Sequence, residues 1–523
     1  MAAGGAVSSG TTVGYEHLLD PKRKWNTNRR LITLHAWIVL LVITSSANGF
    51  DGSLMNSFQS LSQWEMYFNY PSGGKLGLLN AIQNIGSLAG YPFAPYLSDG
   101  LGRRPTIFIG ATIMLVGVAV QSAAYNLSMF ISARQVFCVG FGLTFATNAA
   151  PMLVTEISYP KYRAPLTSVY NSLWYSGNVI ASWTTYGTAR INNNWSWRIP
   201  SLMQGIPSVF QFILVLFAPE SPRWLISKGR DAEGLRILAY YHADGDEQDP
   251  LVQYEFQEIK AAIGLDRQSS KNVGWTSLVK TAGNRRRILI ITAIGFFSQW
   301  SGNGLVSYYL HDVFDAIGIK SEAIQLLITA ILAVWNLFWA IGISFYVDRL
   351  GRRPLFLAAA GGSCIFFTVQ TICSAQFAIH GTPAAAHAVI ASIFLYYAAY
   401  DLAFTPLLVT YTVEILPFPI RAKGLNISGV VISSALIFNQ YVNPIALSKL
   451  AWKYYIVYCC WTAFEFVFLY FFLIETKNRT LEETAALFDG EDVAERIASA
   501  QAQREVREDL RGLDEKDPEK LIV

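Results

Sequence analysis

The sequence predicts an all-α membrane protein of twelve transmembrane helices arranged in two six-helix halves. Three observations predict it. Of 523 residues, 52% are hydrophobic and only 15% charged, with a mean hydropathy of +0.31, a balance that cannot clothe a soluble surface. Apolar runs of about 20 residues, the length that crosses a bilayer, begin near positions 33, 76, 106, 129, 165, 198, 288, 321, 354, 386, 423 and 454. Two motifs also recur in the same order. SDGLGRRP, with Asp99, returns as VDRLGRRP, with Asp348, and TEISYPKYRA, with Glu156 and Arg163, returns as VEILPFPIRA, with Glu414 and Arg421. The offsets, 249 and 258 residues, mark a parallel internal repeat of the kind that builds large transporters.

In chain order, residues 1–30 form a small, polar tail without the charged and apolar regions of a cleaved signal peptide. Residues 31–217 make the first six-helix half. Residues 218–286 turn polar, as in YHADGDEQDPLVQYEFQEIK, and form a linker with short helices. Residues 287–475 make the second half, and 476–523 a charged tail. An even number of spans leaves both tails on one side. The basic clusters at Lys22 to Lys24, Arg29 and Arg30, Arg103 and Arg104, Arg223 to Arg230, Arg285 to Arg287 and Arg349 to Arg353 fall on that same side, which the positive-inside rule makes the cytosol.

Several function classes are excluded. A net charge of +3, from 40 basic and 37 acidic residues, gives no case for nucleic-acid binding. The five cysteines, Cys138, Cys364, Cys373, Cys459 and Cys460, lie in apolar runs without metal-ligand spacing and read as buried free thiols. No nucleophile with a base, metal cluster or phosphate loop sits within the helices, so the chain is expected to be neither an enzyme nor a cofactor protein. Asn126 and Asn194 begin glycosylation sequons on short loops close to the bilayer.

These motifs resemble the major facilitator superfamily, and within it the sugar porter family, over about residues 30 to 480. LGRRP after helices two and eight, the two Glu-x6-Arg pairs, PESPRWL (219–225) and IETKNRT (474–480) carry the resemblance as an ordered set. The wording around Asp51 and SGNGLVSYYL (301–310) is similar to the fungal branch of lactose and cellodextrin permeases. The chain departs from the family pattern at Pro95, where a glycine is usual, at Val409, where a tryptophan is usual, and in SQWSGN, which places Asn303 one position early. The resemblance implies a monomeric carrier of a small-molecule sugar, multi-pass in the lipid bilayer of the plasma membrane. It also implies a charge network of Asp99, Arg103, Arg104, Glu156, Arg163, Glu220, Arg223, Asp348, Arg352, Arg353, Glu414, Arg421 and Glu475 that locks the halves when the transporter faces outward. Tyr308 and Tyr309 resemble the paired tyrosines of the external gate.

Polar residues in apolar helices are costly in lipid and face the bundle interior. Asn171 and Asn178 stand two turns apart on one face of helix five, and both match family positions for sugar-binding amides. The resemblance adds Gln299 and Asn303 in helix seven and Asn336 in helix eight. Amides both donate and accept, as sugar hydroxyls do. Asp401, five residues before Pro406, falls where some glucose facilitators carry a glutamate lining the sugar site. It also reads as a structural hydrogen-bond acceptor, or as an acid kept protonated by burial. Glu465 reads as a structural acid.

Asp51, in GFDGS, interrupts the first apolar run about 27 Å from its start. On position alone it is an interfacial acid or a functional one. Arg134 is a lone arginine in helix four, expensive without a partner. The resemblance pairs them: proton-coupled members of the family carry an aspartate and an arginine at these two places. Burial disfavours the charge on Asp51 and Arg134 favours it, so the distance between them would switch a proton on and off. The expected function is a proton-coupled sugar symporter, with a passive sugar or polyol facilitator and a nutrient sensor on a transporter scaffold as the other readings.

Overall fold

A computed structural model describes residues 18–19, 23, 25–135, 140–163, 166, 170, 173–272, 275–344, 346–477 and 487–488. Every regular element among them is helical. Asn171, Cys138 and nearly all of the segment 476–523 lie outside the described residues, as does the side chain of Asp348.

Helix α1 (Arg29–Gln59) starts where the Asn28 side chain accepts the backbone N–H groups of Arg30 and Leu31, satisfying donors that a helix start leaves orphaned. Its 31 residues span about 46 Å, half as long again as the hydrocarbon core, so it runs past Asp51 without a break. After α2 (Ser62–Tyr67), the second span is α3 (Gly73–Gly90) and α4 (Ala94–Leu101), interrupted at Pro92 and restarted beside Pro95. The third span is α5 (Arg103–Ser122). The fourth is α6 (Leu127–Gln135) and α7 (Gly140–Ile157), the fifth ends as α8 (Trp174–Thr188), and the sixth is α9 (Trp195–Met203) and α10 (Ile206–Leu214).

The linker holds α11 (Pro222–Ser227), α12 (Asp231–His242), α13 (Pro250–Asn272) and α14 (Ser277–Lys280), with a small core of its own around Leu238, Val252 and Phe256. In the second half, α15 (Ala282–Trp300) and α16 (Asn303–Ala316) form one span broken at Gly302, where φ is +101°. Then come α17 (Glu322–Ser344), the short α18 (Val347–Leu350), α19 (Arg352–His380), α20 (Pro383–Tyr400), α21 (Leu407–Ile415), α22 (Phe418–Leu450) and α23 (Tyr454–Phe472). Residues 401–406 make an elbow between α20 and α21 that ends at Pro406.

Eight helical segments among the described residues are long and apolar enough to cross a membrane unaided, and the last, Lys423–Phe472, contains two of the runs read from sequence. The runs beginning near 76, 129 and 165 are carried by broken or shorter helices, which neighbours must complete. Across the seam between the halves, α3 packs on α22, α8 on α17 and α1 on α16. The thiols depart from expectation. Cys460 is exposed and Cys364, Cys373 and Cys459 are half-buried, because an apolar helix in a membrane turns one side to lipid.

The two LGRRP motifs fold alike. Gly102 and Gly351 sit immediately before α5 and α19 with φ of +109° and +95°. Glu220 accepts the backbone N–H groups of Arg103 and Arg104 at 3.1 and 3.2 Å. Glu475 accepts those of Arg352 and Arg353 at 2.9 and 3.0 Å. A carboxylate at a helix N-terminus meets both the orphan donors and the positive end of the dipole. A Cβ on Gly102 would lie 2.5 Å from the Glu220 carboxylate, and one on Gly351 2.8 Å from that of Glu475. Gly102→Ala should therefore destabilise the protein by about 1–3 kcal/mol, read as a lower midpoint of thermal unfolding in detergent. Gly100→Ala, which meets nothing within 4 Å, should leave that midpoint in place; equal midpoints for the two variants would contradict the strain argument.

Candidate functional site

Midway along the seam lies a cavity with about 380 Å³ of empty space, its mouth included. Gly52, Ser53 and Asn56 of α1 line it with Trp174 and Asn178 of α8, Ser307 and Tyr308 of α16, Thr329 and Asn336 of α17, and Tyr397 of α20. Both halves contribute. The carbonyl oxygen of Asn336 is buried and has no hydrogen-bond partner among the described residues, an acceptor that a hydroxyl donor can satisfy. Asn178 accepts from Ser182 Oγ at 3.2 Å, which leaves its amide hydrogens for a ligand.

Gln299 and Asn303 are not on the wall of this cavity. Asn303 donates to Ser298 O at 3.1 Å and to the Tyr400 hydroxyl at 3.2 Å, tying the broken seventh span to α20. Gln299 donates to Ser298 Oγ at 3.2 Å.

The cavity is tied shut on the side away from the basic clusters. At Tyr309 the backbone of α16 leaves the helical region (φ −137°, ψ 32°), and the N–H of Leu310 donates to Asn56 Oδ1 at 3.2 Å. Gln59 Nε2 donates to Tyr308 O at 2.8 Å, and Asn84 Nδ2 to Gln440 Oε1 at 2.7 Å. All three bonds cross the seam. Tyr309 is buried and donates to Gln440 O.

Toward the basic face, Asp401 lies one turn beyond Tyr397 and is fully buried. Its Oδ1 accepts from the Tyr175 hydroxyl and from Thr405 Oγ1, each at 2.7 Å, while Oδ2 is buried without a hydrogen-bond partner among the described residues. Tyr175 belongs to the first half, so this bond also crosses the seam. Tyr175 was not legible in the sequence as a site residue; its only signal is its place beside Trp174, three positions before Asn178.

Asp51 and Arg134 meet. Arg134 Nη1 lies 3.6 Å from Asp51 Oδ1, with the side chains 1% and 0% exposed. Gln204, just after α9, donates to Asp51 Oδ1 at 2.7 Å and accepts from Gln121 at 3.4 Å, while Arg134 Nη2 donates to Gln83 Oε1 at 2.9 Å. Asp51 Oδ2 and Arg134 Nε are buried with no hydrogen-bond partner among the described residues. The glutamines were missed, although each is a polar residue in an apolar run and so belongs inside the bundle.

At the basic face the charged motifs pair within each half. Arg103 grips Glu156 through two nitrogens at 3.1 and 3.2 Å and Arg352 grips Glu414 at 3.1 and 2.8 Å, the strong two-pronged geometry of arginine and carboxylate. Asp99 adds a 3.2 Å contact to Arg103. Arg104 and Arg353 bond the carbonyls of Leu216 and Tyr470. Burial pushes the Glu220 carboxyl up, against the pull of the backbone N–H groups of Ser221, Arg104 and Arg103. Arg163 reaches Glu255 of the linker at 3.3 Å, and Arg421 Nε donates to Leu416 O at 3.2 Å. Arg223 lies in α11.

Two repeated helical halves, a cavity between them and buried charges beside it define a membrane transporter. Residues 37–488 match the sequence model of the sugar (and other) transporter family. The chain belongs to that family, the sugar porters of the major facilitator superfamily. The MFS-type transporter oryC of Aspergillus oryzae is 30% identical over 423 residues, 78% of this chain and 76% of that protein. The high-affinity glucose transporter of Kluyveromyces lactis is 28% identical over 455 residues, 83% and 81% of the two chains. Among solved structures, the inward-open conformation of the xylose transporter XylE from E. coli has a TM-score of 0.71 at 24% identity, covering 87% of this chain and 100% of that one.

Removing one member of a buried ion pair leaves an uncompensated charge, which costs about 3–5 kcal/mol. Arg134→Leu should accordingly lower the thermal midpoint in detergent sharply, and the double change with Asp51→Asn should recover most of the loss. If the double variant is as unstable as the single one, the two side chains are not energetically paired.

Proposed function

We propose that the protein is a proton-coupled symporter for an uncharged sugar, a hexose or disaccharide, working by alternating access with its basic face in the cytosol. The observation that carries this reading is the sealed pair of Asp51 and Arg134, with one free carboxylate oxygen, one turn from the cavity wall that Ser53 and Asn56 form. Burial opposes the charge on Asp51 and Arg134 supports it. A proton arriving from the external face neutralises the acid and releases the arginine. The sugar then fills the cavity, Asn178 and Asn336 taking its hydroxyls, and the halves rock. Asn171, Gln299 and Asn303 complete the proposed set of amides as the spans shift. A monomer suffices, since each repeat supplies one wall.

The charged motifs at the basic face serve as the inner gate: in the arrangement seen here they pair within each half and the ties through Asn56, Gln59 and Asn84 close the opposite side, as expected of a transporter turned inward, while the Tyr175–Asp401 bond crosses the seam nearer the basic face. Tyr308 and Tyr309 stand at the external closure. The proton:xylose symporter XylE bound to 6-bromo-6-deoxy-D-glucose, a similar fold with a TM-score of 0.67 at 24% identity over 87% of this chain and 100% of its own, supports the same direction. Each proton moved supplies about 2.3 kcal/mol per 100 mV and about 1.4 kcal/mol per pH unit, enough for more than tenfold accumulation.

Asp51→Asn in proteoliposomes should abolish uphill accumulation driven by a pH gradient and spare sugar exchange at equal concentrations. Continued uphill accumulation would refute the coupling role. For Asp401 the expected role is a sugar contact masked by a phenol. Tyr175→Phe removes that competitor, so the half-saturation concentration for uptake should fall by about tenfold or more, the range of one hydrogen bond to a charged group; an unchanged or higher value would place Asp401 outside the sugar's path.

A further inference from the structure

The face opposite the basic clusters carries a group that the coupling reading does not use. His311, in α16, has 18% of its side chain exposed. Its Nδ1 lies 2.7 Å from Gln325 Oε1. That amide is held in one orientation, since its Nε2 donates to Asp315 Oδ1 at 2.9 Å and to Ile319 O at 2.6 Å, so Nδ1 must carry a hydrogen. The other ring nitrogen, Nε2, lies 3.6 Å from Glu65 Oε1 and 3.5 Å from Asp315 Oδ2. Both nitrogens therefore face acceptors, and only the imidazolium has a hydrogen for each.

Glu65 belongs to α2 of the first half, while His311, Asp315 and Gln325 belong to the second. Beside them Ser62 Oγ donates to Glu322 Oε2, again from α2 to α17. The titratable groups facing this point are Glu65 from α2, Asp312 and Asp315 from α16 and Glu322 from α17. No lysine or arginine is ion-paired to them among the described residues. Burial pushes the Glu65 carboxyl above its ordinary range against the pull of His311, and Asp315, Asp312 and Glu322 add to the push.

We propose that His311 is a proton-operated tie across the external seam. As imidazolium it holds α2 to α16 and keeps the mouth of the cavity shut. As neutral imidazole it presents a lone pair to two carboxylates, and the seam parts. The tie needs a carboxylate at Glu65 and an imidazolium facing it, and imidazole is the side chain whose charge ordinarily changes between about pH 5 and 8, so the tie is present on the acid side of that change and lost on the alkaline side.

The test follows a cysteine placed at Ser53, on the cavity wall, labelled from outside whole cells by a membrane-impermeant maleimide. Rates are normalised to a cysteine at Tyr125, which is 73% exposed before α6, to remove the pH dependence of the thiol itself. In the otherwise native chain the normalised rate should rise about fivefold or more from external pH 5 to 8, the range of a weak coupling. His311→Gln should label fast and without pH dependence, and His311→Arg, a permanent cation, slowly at both ends. Glu65→Gln, made from the other half, should flatten the profile in the same way and serves if His311→Gln folds poorly. A profile in Glu65→Gln or His311→Gln parallel to the native one, or a flat native profile, overturns the proposal. The readout needs no sugar, and the same pH series in Asp51→Asn, where no proton reaches that acid, separates the tie from coupling: the profile persists there if His311 carries it, so a failure of coupling at Asp51 leaves the proposal standing.

Discussion

A carboxylate seated on the first turn of a helix, used twice, organises the basic face of this protein. Glu220 and Glu475 each close the N-terminus of a spanning helix, and the glycines before those helices leave the space in which the carboxylates fit. The next arginine is then fixed in direction and can grip Glu156 or Glu414 with both prongs. The chain thus builds, in each half, a knot of three helix ends from a few charged side chains, and both the linker and the segment after α23 enter the membrane domain through it.

Deeper in the bundle the two buried aspartates are handled by different chemistry. Asp51 has a cation, and three glutamines, from α3, α5 and the turn after α9, gather around that pair. Asp401 has no cation in contact among the described residues; it is held by two hydroxyls, one from each half. A carboxylate facing an arginine is sensitive to charge, since moving either partner leaves an unpaired ion in a dry place. One held by hydroxyls is sensitive to hydroxyl groups. The division suits a carrier that must read two different things, a proton and a polyhydroxylated solute, within one narrow seam.

Much of this was legible in the sequence because it is local or repeated. The twelve apolar runs, the doubled motifs and the lone Arg134 each carry their signal within about 20 residues. The partner of Arg134 came from family resemblance, and the structure brings the two together. What escaped the sequence depends on contacts between distant segments. Nothing near Tyr175 says that its hydroxyl reaches 226 residues onward to Asp401. Arg163 follows a motif that suggests a helix-end partner, yet it bonds Glu255 in the linker, a choice made by how α13 docks. Gln299 and Asn303 flank the break in the seventh span, and there the amide of Gln299 turns to Ser298 Oγ and that of Asn303 to Ser298 O and the Tyr400 hydroxyl, contacts that the motif alone does not announce.

The length of α1 ties these regions together mechanically. A single uninterrupted rod carries Asp51, then Ser53 and Asn56 of the cavity wall, then Gln59 at the external closure, before the chain turns into α2 with Glu65. A stiff rod cannot tilt at one of these points and stay still at the others. A few degrees of rocking about its base at Asn28 displaces each point in proportion to its distance along the rod, so the tip moves about twice as far as the middle and about a third farther than Asp51, and an adjustment around the buried acid is carried undiminished to the mouth. The proton site, the solute site and the outer closure are in this sense stations on one lever.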